Sequence, residues 1–185
     1  MRVISGSAKG LILASVPGKS TRPITDQVKE ALFNILGPGV VGKSILDLFG
    51  GTGAVGIEAL SRGASHAHFL DTNFRAFKTI QQNLQTAQLA AYAIVLKKDA
   101  FTYLHEKVER QFDLIYIAPP QYKGLWLKAM QALDENPGLL DMDGIVIVQI
   151  HPKEYQENID FENFQCYDER NYGDTRLIFY EKRSP

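Results

Sequence analysis

Asp47, Gly51, Gly53, Gly56 and Asp71 are the residues of this chain whose types and spacing point to chemistry. Glycines at that spacing let the backbone turn tightly, approach a ligand closely, and pack a helix on a strand. They follow the apolar run Ile45-Leu46-Asp47-Leu48-Phe49 and open a helix-forming stretch from Ala54 to Arg62. Asp71 stands 20 residues beyond Gly51, after a second apolar run, where a ribose hydroxyl needs an acceptor. The combination implies a nucleotide-type cofactor. By itself the spacing also satisfies the dinucleotide fingerprint, so an NAD-type oxidoreductase is one reading.

Three features favour another cofactor. Asp47 ends the first strand, where NAD folds more often carry an apolar residue. Asp99-Ala100 follows the third strand, where a side chain can hold an adenine amino group. Ala118-Pro119-Pro120-Gln121-Tyr122 follows the fourth strand and forms a stiff turn at the edge where ligands bind in open α/β sheets. Helix capping is the plainer role for Asp47 and Asp99, and a surface or capping role for Glu58. A chain without a separate substrate domain also disfavours a dehydrogenase.

The elements that must position these residues alternate. Strands are expected at 43–48, 66–71, 92–97, 112–117 and 144–150, and helices near 53–63, 73–87, 99–108 and 123–134. Near-continuous apolar strands with short connections predict an α/β fold, a doubly wound and mostly parallel sheet covered on both faces. Phe164 to Arg170 and Arg176 to Lys182 predict a closing antiparallel hairpin around 171–174. Ahead of this core, Arg2 to Ser5 and Leu11 to Ala14 predict a hairpin. Gln27 to Leu36 then predicts a helix, capped by Thr25 and stopped by Gly37-Pro38-Gly39. The expected organisation is one domain over 1–185, with residues 1–40 an extension of the core at 41–185.

Composition bounds the rest. The 185 residues are 45% hydrophobic and 22% charged, with net charge −1, as in an ordinary globular domain. Any nucleic-acid site must therefore be a local basic patch. Residues 1–30 hold such an excess, with Arg2, Lys9, Lys19, Arg22 and Lys29 against Asp26 and Glu30. A lone cysteine, Cys166, fits a reducing compartment and excludes an intrachain disulfide. His66, His68, His105 and His151 lack metal-ligand spacing, so no metal is expected. No signal peptide is evident and no apolar run approaches the ~18 residues of a membrane span, so a cytoplasmic enzyme is expected.

Thr21-Arg22-Pro23, with Asp26-Gln27-Val28-Lys29-Glu30-Ala31-Leu32-Phe33-Asn34-Ile35-Leu36, is similar to the N-terminal signature of the RsmD-like methyltransferases. Gly6, Lys9-Gly10, Asp47 to Gly56, Glu58 to Ala64, Arg170 and Tyr172-Gly173 extend the resemblance over nearly the whole chain. It implies a seven-stranded, Rossmann-like class I fold that uses S-adenosylmethionine. The implied reaction methylates the exocyclic N2 of a guanine in 16S ribosomal RNA, on an assembling small subunit; apart from the resemblance, a monomer with no membrane contact is expected. Asp47, Gly51, Gly53, Gly56, Asp71, Asp99 and Ala100 would hold the cofactor. Ala118, Pro119, Pro120, Gln121 and Tyr122 would form the catalytic turn, and Lys9, Arg22 and Arg170 would contact RNA. Phe33 and Trp126 read as core.

The chain departs from the family in two places. The usual turn after the fourth strand is Asp or Asn, two prolines, then an aromatic. Here Ala118 removes the side-chain acceptor, Gln121 takes the aromatic position, and Tyr122 follows one place later. Leu11 stands where arginine is usual after Lys9-Gly10. A catalytically impaired, cofactor-binding ribosome-assembly protein is the alternative that the altered turn suggests.

Overall fold

The computed structural model describes residues 1–18 and 23–183. The chain divides into two compact units, Met1–Asp99 and Ala100–Pro185. In sheet order the seven strands are β3 (Ala93–Leu96), β2 (His66–Leu70), β1 (Ser44–Asp47), β4 (Phe112–Ile117), β5 (Leu140–Ile150), β7 (Thr175–Lys182) and β6 (Phe164–Tyr172).

The first unit holds α1 (Asp26–Leu36), β1 (Ser44–Asp47), α2 (Ala54–Ser61), β2 (His66–Leu70), α3 (Phe74–Thr86) and β3 (Ala93–Leu96). Its strands are parallel, with Asp47 opposite Phe69 and Leu70 opposite Leu96. They are short and apolar because both of their faces are covered, and Ile45, Leu46, Ala67, Phe69 and Leu70 are buried. Thr25 caps α1 as expected, its hydroxyl accepting from the Val28 N–H, and Gly37 ends the helix at positive φ. The N-terminal pairing is looser than a two-stranded hairpin. Arg2 and Ile12 form one antiparallel bridge, supported by Val3 N–H to Leu11 O and Leu13 N–H to Met1 O. The turn at Gly6 docks on the end of α2 instead. Ser7 N–H donates to Ser61 O, Ala8 N–H to Ser61 Oγ, and a Cβ at Gly6 would lie 1.7 Å from the Ser61 carbonyl oxygen.

The second unit holds α4 (Ala100–Leu104), β4 (Phe112–Ile117), α5 (Leu125–Glu135), β5 (Leu140–Ile150), β6 (Phe164–Tyr172) and β7 (Thr175–Lys182). β4 and β5 are parallel, while β7 is antiparallel to both β5 and β6. Two elements differ from expectation. α4 stops at Leu104 rather than reaching 108, and β5 starts at Leu140 rather than 144. The register shift between Phe112 and Leu114 accommodates the added β5 residues, where Asp141, Met142 and Asp143 break the apolar alternation. Trp126 and Phe33 are buried in their helices, as expected. Among the described residues no helix is long and apolar enough to cross a membrane, and no His/Cys/Asp/Glu group is arranged for a metal ion.

Candidate active site

In the first unit, β1 delivers Asp47 to the start of the glycine loop. Its side chain is buried, and Oδ1 has no hydrogen-bond partner. Burial pushes this carboxyl up to about 7; the Phe49 N–H opposes the rise, and the neighbouring Asp71 charge adds to it. It caps no helix. A buried acceptor oxygen with no donor on it, beside a loop of backbone N–H groups, is a place for a donor or cation from a ligand.

Asp71 locks that loop. Its Oδ2 accepts from Gly51 N–H at 3.0 Å and its Oδ1 from Asn73 N–H at 2.8 Å, which leaves further lone pairs on both oxygens. Gly51 and Gly53 adopt φ of 55° and 78°, conformations that side chains disfavour. Gly56 has a different task. A Cβ there would stand 2.3 Å from the ring of buried Phe69, so this glycine lets α2 close on β2. Asp99 is exposed just beyond β3, and Ala100, at the start of α4, is buried.

Two features of the first unit escape sequence reasoning. Asn83, almost fully buried on α3, accepts from Ala14 N–H and donates to the carbonyls of Ala14 and Thr52. It thereby pins the glycine loop and the N-terminal segment to one helix. An amide within the otherwise apolar stripe of Ala76, Ile80 and Leu84 was its only signal. The second is an ion cluster. Lys29, counted in the sequence as part of a basic arm, is fully buried with Nζ 3.4 Å from Glu58 Oε2. Glu58 is neither a surface nor a capping residue. It pairs with Arg62 at 2.7 Å and accepts from Ile4 and Ser5 N–H. Burial lowers the Lys29 pKa and Glu58 opposes that. Arg2 pairs with Asp26 at the surface, so two of the five basic residues counted in 1–30, Arg2 and Lys29, are in ion pairs, and Lys19 lies outside the described residues. Lys9 stays exposed on the Gly6–Gly10 turn. Arg22 lies outside the described residues.

In the second unit, Ala118 to Tyr122 leave β4 and lead to α5, which starts behind Gly124. Pro119 is buried; Ala118, Pro120 and Gln121 are partly exposed. Tyr122 is held at φ 61°, an unfavourable conformation for a bulky residue, and is 65% exposed. Glu154 fixes it there, Oε1 accepting from Tyr122 N–H at 2.7 Å, and the His151 ring lies 5.4 Å from the tyrosine ring. The left-handed residue turns the displaced aromatic outward. Arg170 is exposed on β6 and pairs with Asp168 at 3.1 Å.

A parallel sheet closed by an antiparallel pair, with an acid-flanked glycine loop after its first strand, defines the class I methyltransferases. The chain belongs to the family described as Conserved hypothetical protein 95, whose model matches residues 1–181, and it resembles the RsmD-like methyltransferases within it. It is 42% identical over 185 residues to the putative rRNA methyltransferase YlbH of Bacillus subtilis, covering 99% of this chain and 100% of that one. Ribosomal RNA small subunit methyltransferase D of Escherichia coli is 29% identical over 184 residues, covering 100% of this chain and 91% of the relative. The structure of the putative methyltransferase yhhF from Escherichia coli superposes with a TM-score of 0.85 at 31% identity, covering 100% and 99%. These relatives set aside the oxidoreductase reading.

Proposed function

We propose that this protein transfers a methyl group from S-adenosylmethionine to the exocyclic N2 of a guanine in 16S ribosomal RNA. The observation that carries the reading is the buried, unpartnered Asp47 oxygen beside the glycine loop. The residues fit the cofactor: Asp47 offers an acceptor to its donors, Asp71 has lone pairs left for ribose hydroxyls, Gly51 and Gly53 keep the loop clear of side chains, and Gly56 lets the helix behind the loop close on β2. Asp99 and Ala100 would serve the adenine edge. When bound, S-adenosylmethionine supplies a sulfonium-activated methyl group open to in-line attack.

The protein's task is then to hold an amine on that line. A guanine N2 is a weak nucleophile because its lone pair is shared with the ring. Acceptors aimed at its protons favour the charge that develops as it attacks. Ala118 has no side-chain acceptor, so the carbonyls of Ala118 and Pro119 take that role on a turn stiffened by two prolines, with the Gln121 amide oxygen beside them. Tyr122 stacks on the extruded base. Lys9, Arg22 and Arg170 contact phosphates. The enzyme acts in the cytoplasm as a monomer, on RNA within an assembling small subunit.

Ala118 also supports a second reading, a protein that binds cofactor and RNA without transferring the methyl. Single-turnover transfer from labelled S-adenosylmethionine to small subunits from a strain lacking the gene separates the two. N2-methylguanine in the digested RNA is expected, at a rate lowered by Gln121→Ala or Tyr122→Ala. Cofactor binding with no transfer would support the second reading, and an unchanged rate in both variants would remove them from the mechanism.

A further inference from the structure

Phe74, the first residue of α3, exposes 55% of its surface although it follows directly on the Asp71 loop. Phe77, one turn further, stacks beside it with ring centroids 6.3 Å apart and planes inclined by 22°. Lys78 on the same face holds its ammonium 5.6 Å from the Phe74 centroid and 5.8 Å from that of Phe77. A second ammonium comes from another element. The register that pairs Leu70 with Leu96 brings the start of α3 beside the end of β3, and Lys97 Nζ lies 5.7 Å from the Phe74 centroid. Among the described residues neither lysine is in an ion pair.

Two like charges thus converge on one exposed ring, and among the described residues no carboxylate forms an ion pair with either. An apolar protein surface docking here would have to strip water from both ammoniums without return. A polyanion that carries flat rings satisfies both features at once: its phosphates take the lysines while a base packs against the exposed Phe74 ring. We infer that Phe74, Lys78 and Lys97 form a further contact surface for single-stranded RNA, one that uses none of Lys9, Arg22 and Arg170. This inference rests on the proposed function for its substrate class, and it adds a place on α3 and β3 where RNA flanking the target nucleotide is held.

The test uses the full chain and a fluorescein-labelled, unstructured oligoribonucleotide of about a dozen nucleotides. S-adenosylhomocysteine affinity and thermal midpoint are measured on the same samples. Phe74→Ala is expected to weaken RNA binding about tenfold, with Phe74→Tyr restoring it. Lys78→Ala with Lys97→Ala should lower the slope of log affinity against log salt by about 1 to 2. RNA affinity within twofold of wild type in Phe74→Ala would overturn the inference. So would a loss confined to S-adenosylhomocysteine, which would assign the ring to the cofactor pocket. A wild-type protein that ignores S-adenosylhomocysteine would instead strike the proposed function, and the RNA comparison at Phe74 would still stand by itself.

Discussion

Replacing Asp47 by asparagine separates the ligand-free stability of this protein from its binding function. The folded carboxyl sits at about 7 against an ordinary 3.8, so between those values the folded state binds more protons than the unfolded chain. The contribution of this carboxyl to stability then falls as pH rises from about 4 to about 7 and levels off above. At about 1.4 kcal/mol for each tenfold change in proton affinity, the upper figure for the cost of the ionised side chain is about 4 kcal/mol. Asparagine keeps the shape without the charge. Asp47→Asn should therefore match wild type near pH 4 and exceed it by about 2 kcal/mol or more near pH 8. Urea unfolding of both proteins across that range reads the difference, in which titrating groups not coupled to Asp47 cancel; Asp71 is coupled and stays in it. A difference that stays flat with pH, or that favours wild type on the alkaline side, would refute the reasoning.

Three further outcomes follow from the packing. Gly56→Ala meets the Phe69 ring at 2.3 Å and should destabilise by about 1–3 kcal/mol despite better helix propensity; Phe69→Leu should relieve it, giving a coupling of about 1 kcal/mol in a double-mutant cycle. Lys29→Met strips Glu58 of one of its two cationic partners, the fully buried one, and should cost about 3 kcal/mol in chemical denaturation. Tyr122→Gly relaxes a left-handed residue and should stabilise by about 1 kcal/mol while slowing single-turnover transfer, whereas a purely structural tyrosine would show no such split.

The parallel strands and the glycine loop were legible because their determinants are local. An apolar run, three glycines and an acid lie within one βαβ stretch, and each takes the place its spacing predicts. The Thr25 cap and the buried Trp126 were legible for the same reason. The Lys29–Glu58 pair was not, since its members lie 29 residues apart in sequence and each alone reads as a surface charge. Asn83 bridges Ala14 and Thr52 across separations of 69 and 31 residues, beyond any local pattern. β5 runs longer than its apolar core because pairing with β4 carries it through Asp141 and Asp143. The altered turn shows the same limit. The sequence reveals that the aromatic is displaced, but only the Glu154 contact shows how Tyr122 is turned outward.

The central claim is that the unpaired Asp47 oxygen and the glycine loop seat the cofactor, and calorimetric titration with S-adenosylhomocysteine tests it most directly. Wild type should bind it one to one and ignore NAD, while Asp47→Ala, still folded, should lose about tenfold or more in affinity, the scale of one charge-assisted hydrogen bond. Equal affinity in the two proteins, or heat from NAD but none from S-adenosylhomocysteine, would contradict the account.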